Sequence, residues 1–154
     1  SPIGRGDEEI FPGIIEEPLE QPASAAAYRT GVAWSVFVEH PRGTTLVQGS
    51  AGYIEGKLDG EQADVVMLCL SGLEGLGREY TENYWRETVT ASGALRVIPI
   101  HFDDFMAPFG EVRLLPRFID DLTETAGWID AMLADEANEV VIELPVFGQP
   151  IPLY

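Results

Sequence analysis

The spacing of hydrophobic positions changes character several times along the chain, and each change predicts an element. Residues 1–27 hold no sustained period; prolines, glycines and acidic side chains are scattered through them, which predicts an extended, irregular lead-in. From Gly31 the pattern becomes that of a strand. Trp34, Val36 and Val38 fall on one face and Phe37 on the other, His40-Pro41-Arg42-Gly43 supplies turn chemistry, and Thr44 to Gln48 forms a second strand, so a hairpin is expected. His40 then lies at the turn, exposed, at the opposite end of the hairpin from Ser50. Ala63 to Leu70, apolar but for Asp64, reads as a buried strand, and Leu95 to His101, apolar between Arg96 and His101, reads as another. Between them the glycine-rich stretch 71–77 predicts a flexible loop. Thr81 then offers an N-cap for a helix through Ser92, with Gly93 just beyond its end. Tyr84, Trp85, Thr88 and Val89 share one face of that helix. Strand, helix and strand make a βαβ unit, whose right-handed crossover sets the two strands parallel. After an irregular stretch, Phe118, Ile119, Leu122, Ala126, Ile129 and Leu133 recur at near-helical spacing around a weakening Gly127, and Val140 to Leu144 reads as a last short strand. The pattern as a whole predicts an α/β fold, a mixed β-sheet with flanking helices.

Composition narrows the function classes. The 154 residues are 45% hydrophobic and 23% charged, which suits one globular domain with a modest core. Nine basic against twenty-six acidic residues give a net charge of −17, and Lys57 is the one lysine. Nucleic acid is therefore excluded as an expected partner, since phosphate neutralisation needs clustered Lys and Arg. The acidity reads either as a solvated, self-repelling surface or as a field that attracts cations. No apolar run reaches the roughly 18 residues of a membrane span. The chain begins at Ser1, so targeting signals are not observable, and the cytoplasm is the default expectation.

Candidate chemistry gathers after the second apolar run. Leu95 to Ile100 delivers His101 to the carboxyl end of a strand, and Asp103 and Asp104 follow at once. Functional groups of α/β sheets collect at such ends, and His is the commonest metal ligand and acid–base residue near neutral pH. Asp103 and Asp104 are candidates to cap a turn, to brace the His101 ring, or to ligate directly. Gly49-Ser50-Ala51-Gly52 closes the second strand of the hairpin with small residues that let a ligand approach the backbone. Cys69 is the only cysteine, so no internal disulfide forms, and its apolar setting predicts a small buried hydrophobe. Arg5-Gly6-Asp7 spells an adhesion tripeptide, which arises readily by chance in such a leader.

The segment Val-Ile-Pro-Ile-His-Phe-Asp-Asp-Phe, residues 97–105, resembles the stretch that carries the last metal-binding histidine in one branch of the metallo-β-lactamase-fold hydrolases. Thr44 to Gly52 resembles that fold's strand and Gly-Asp turn, whose aspartate bridges two metals; Ser50 stands in its place, and a neutral hydroxyl bridges cations poorly. Ala63 to Leu70 fits the buried strand between. The resemblance covers roughly residues 28–144 and the second half of the fold; the His-x-His-x-Asp-His signature of the first half is not among these residues. It implies half of an αββα sandwich over residues 28–154, the carboxyl-terminal part of a zinc-dependent hydrolase that is inactive without the amino half. It further implies His101 as a zinc ligand, with Ser50, Asp103 and Asp104 lining the site, and association with the other half or with itself. The substrate is not readable from it. An alternative from another class is a non-catalytic half-fold that acts as an interaction or assembly module through the sheet face the other half would cover.

Overall fold

A computed structural model describes residues 11–29, 31, 33–135 and 140–154. The tripeptide at residues 5–7 lies outside them. The centre of the molecule is a five-stranded sheet in the order β1 (Ser35–His40), β2 (Gly43–Gln48), β3 (Val65–Cys69), β4 (Arg96–Ile100) and β5 (Val141–Ile142). β1 and β2 are the expected antiparallel hairpin, and β2, β3, β4 and β5 pair parallel in succession. The sheet is mixed and flanked by helices, as the hydrophobic pattern predicts.

Register divides the sheet into two faces, because residues directly opposite one another point the same way. Leu46, Val66 and Val97 are opposed across the three central strands, and all three are buried. They pack into one core with Tyr84, Trp85, Val89 and Ile129. Those four come from the helical crossover and from α3 (Leu122–Asp135). Tyr84, Trp85, Thr88 and Val89 are all at most 2% exposed, so the predicted helical face is the buried one.

The crossover departs from the sequence expectation in three ways. Residues 71–77 are not an open loop, since α1 (Leu73–Leu76) forms within them and buries Leu73. The main helix α2 (Arg78–Trp85) begins earlier than predicted. Gly77, at φ 91°, separates α1 from α2, and its N–H donates to the carbonyls of Leu73 and Glu74. Thr81 is therefore inside the helix rather than at its cap; it is 1% exposed, and its hydroxyl donates to the Gly77 carbonyl at 3.1 Å. Finally, α2 continues through a π-helical turn at Arg86–Thr90. π turns are rare and interrupt the side-chain period, which no apolar pattern encodes. The last helix starts at Leu122, leaving Phe118 and Ile119 exposed ahead of it, and the last strand is only Val141–Ile142.

The opposite face carries Thr45, Val65 and Arg96 in register, with Val38 of β1 beside them. The chain's last residues lie across it. Tyr154 Oη is 2.6 Å from Thr45 Oγ1, and Arg96 Nη1 donates to the carbonyls of Pro152 and Leu153. Arg96 also pairs with Glu143 through Nε at 2.9 Å. Val65 and Ile98 of this face are buried, whereas Val36 and Val38 stay open. Glycine at position 43 is what lets the tail come so close. A Cβ there would overlap the Tyr154 ring and lie 2.8 Å from Asp64 Oδ2, the atom that accepts the Thr44 N–H. Gly43→Ala is expected to destabilise the fold by about 1–3 kcal/mol through this overpacking, read as a lower urea midpoint.

Candidate functional site at the carboxyl edge of the sheet

Three parallel strands end along one edge, and the sequence-predicted groups are carried there. β4 ends at Ile100, opposite Cys69, and Leu70 N–H donates to the Ile100 carbonyl, so pairing continues one step beyond. His101 follows immediately. It is exposed, and its φ of 52° makes it the non-glycine residue in the left-handed region among those described. That conformation costs an L residue roughly 1 kcal/mol or more, and His tolerates it better than most. The His101 ring turns toward β3, with Nδ1 3.5 Å from Cys69 Sγ.

Cys69 is buried, as the apolar run predicts, at 1% exposure. Burial pushes its thiol pKa up; the backbone N–H of Ser71 works against this shift, and the charge of Asp120 adds to it. Asp120 was not legible from the pattern. It is 6% exposed, and Oδ2 accepts the N–H of Gly72 at 3.0 Å, which pins the turn that follows β3. Its Oδ1, like Thr125 Oγ1, has no hydrogen-bond partner among the described residues. A strongly buried carboxylate oxygen left unpaired is costly.

Ser50 sits at the end of β2, on the same edge. Its carbonyl accepts from the Tyr84 hydroxyl at 3.1 Å, and that hydroxyl is shared with the Cys69 carbonyl at 3.1 Å. The carbonyl also accepts from the Gln48 side chain, which reaches on to the Gly52 carbonyl at 2.6 Å. One phenol from α2 thus ties the ends of β2 and β3 together. Burial, chiefly, raises the Tyr84 pKa, so the group stays a phenol and a donor. Tyr80 repeats the device beside it, donating to the Ala51 carbonyl at 2.8 Å.

Asp103 and Asp104 take separate roles. Asp103 forms an isolated bridge with Leu114. Asp104 caps the following turn, its Oδ1 accepting the Met106 N–H at 2.9 Å, while Oδ2 pairs with Arg113 at 3.0 Å. Capping is thus the role that its contacts describe. His40 lies at the hairpin turn, exposed and far along the strand from Ser50. Its Nδ1 accepts the Arg42 N–H, and its ring stacks on Tyr154 at 5.9 Å.

The donor chemistry at the edge is limited. His101 presents an accessible imidazole, Cys69 a buried thiol and Ser50 a neutral hydroxyl. Among the described residues no group of three or more His, Cys, Asp or Glu side chains is gathered to hold a metal ion. No helix is long and apolar enough to cross a membrane among these residues.

Comparison with known proteins finds no matching family model, no matching curated protein and no matching solved structure.

Two expectations follow from this geometry. Tyr84→Phe removes one hydroxyl from two carbonyls and is expected to cost about 1–2 kcal/mol in urea unfolding. Replacing His101 separates backbone strain from side-chain chemistry. His101→Gly relieves the left-handed conformation, so its urea midpoint is expected to exceed that of His101→Ala by about 0.5–1 kcal/mol in stability.

Proposed function

We propose that the chain is the carboxyl-terminal part of a zinc-dependent hydrolase of the metallo-β-lactamase fold. In this reading, His101 is one metal ligand, Ser50 lines the site, and the Cys69 thiol lies behind the histidine ring. The observation that carries the proposal is the placement of His101: an exposed imidazole at the carboxyl end of β4, on the edge where β2 and β3 also end. The mixed five-stranded sheet with helices on one face is compatible with one half of an αββα sandwich. Zinc, when bound by three protein groups with a position left for water, lowers the pKa of that water to near neutrality and so supplies a nucleophile.

The chain's own residues would do the positioning. Pairing of β3 with β4 fixes the backbone up to Ile100, and the left-handed turn at His101 swings its ring toward Cys69. Tyr84 holds the Ser50 backbone at a set place relative to β3. Ser50, being neutral, leaves one charge fewer than a bridging carboxylate would, which favours a single metal over a pair.

A second reading is favoured by a different observation. Val36 and Val38, on the tail-side face of the edge strand β1, are about half exposed. A half-fold that associates through the tail-side face, with a companion half or with itself, would cover them.

Zinc titration separates the readings. Added to the chain together with an amino-terminal half carrying His-x-His-x-Asp-His, zinc is expected to bind stoichiometrically. His101→Gly is expected to weaken that affinity about 100-fold or more, given that even outer groups of metal sites are worth about 10–100-fold. Affinity indifferent to His101 overturns the hydrolase proposal. Sedimentation of the chain alone as a monomer at high concentration removes the assembly reading.

A further inference from the structure

A cavity lies away from the histidine, with Ser50 of the sheet edge among its lining residues. It opens on the helix-side face of the hairpin and encloses about 500 Å³, between β1, the loop after Gly52 and the π turn of the crossover. That size falls within the range of about 300–1,000 Å³ typical of small-molecule sites. Its walls are mainly apolar and aromatic, with Trp34, Phe37, Tyr53 and Leu58 prominent, and three charged side chains, Lys57, Glu61 and Glu87, stand among them.

We infer that this cavity binds a small lipophilic organic cation, an alkyl- or arylammonium compound, and does so independently of any metal at the sheet edge. The aromatic walls supply ring faces, to which an ammonium group is attracted by the ring quadrupole. Tyr53 is held for this by its ring contacts with Tyr80 at 5.2 Å and Tyr84 at 6.4 Å. Charge selects the sign of the ligand. The lining carries Glu61 and Glu87 against a single lysine, and the whole chain carries −17. A cation is drawn into such a field and an anion is repelled from it.

Glu87 is also fixed in place. Its Oε2 accepts the Gly56 N–H at 2.7 Å, which bridges the π turn to the covering loop. Glu87 and Thr88, neighbours on the π turn, both line the cavity. Lys57 is exposed, and a lysine's long stem lets its ammonium group reach water.

The test compares three ligands with the same ten-carbon tail on the whole chain, below their aggregation concentrations and with a chelator present. Calorimetric titration is expected to rank decyltrimethylammonium about ten-fold or more tighter than decanoate, with decanol between. Trp34→Ala, at an exposed position that should not endanger folding, is expected to weaken all three. Glu61→Gln is expected to weaken the ammonium several-fold and leave decanol unchanged. Decanoate binding as tightly as the ammonium, no saturable binding of the ammonium, or an ammonium affinity insensitive to both variants overturns the inference. Because the chelator removes metal from every arm, none of these outcomes bears on the zinc reading.

Discussion

The parallel pairing of Val65–Cys69 with Arg96–Ile100 is the constraint on which the rest depends. Two apolar strands that run the same way need a crossover, and the crossover must cover one face of both. Once α1, α2 and the π turn lie there, the carboxyl ends of β2, β3 and β4 share an edge. His101, the turn pinned by Asp120, and Ser50 are carried to that edge by the arrangement. None of the three contributes to the pairing; they are cargo carried to a common rim by the strands.

At that rim, several polar side chains are bound to backbone. Tyr84 and Tyr80 donate to carbonyls at the end of β2, Asp120 accepts from Gly72, and Asp104 accepts from Met106. Such bonds fix loops, which is what a site needs before any ligand arrives. The acidity of the molecule then acts on whatever approaches. A net charge of −17 attracts cations and repels anions.

Much of the fold was legible because its elements obey simple periods. The hairpin, the two buried strands and the crossover followed from alternation, apolar runs and one helical face, and these put His101 at a strand end and His40 at a turn. What the pattern missed has physical causes. Glycine punctuation at 72, 75 and 77 reads as loop, yet α1 forms between two left-handed glycines and is held by tertiary burial of Leu73. Thr81 looks like a cap by residue type, but Gly77 had already opened the helix. Asp120 arrives from an irregular segment 48 residues beyond Gly72, and a contact of that range leaves no local trace. Cys69 was read as a buried hydrophobe, which it is; that a histidine ring lies 3.5 Å from its sulfur follows only from the strand register.

The contact between Tyr154 and Thr45 joins positions 109 residues apart. A ribosome therefore releases the hairpin long before it makes the segment that seals it. During that interval the tail-side face of β2 and β3, including Val65, is bare, while the crossover face can already be covered. Closure of the sheet is thus a late event in the birth of the molecule, and the nascent form with one naked face is the species most in need of a chaperone's protection.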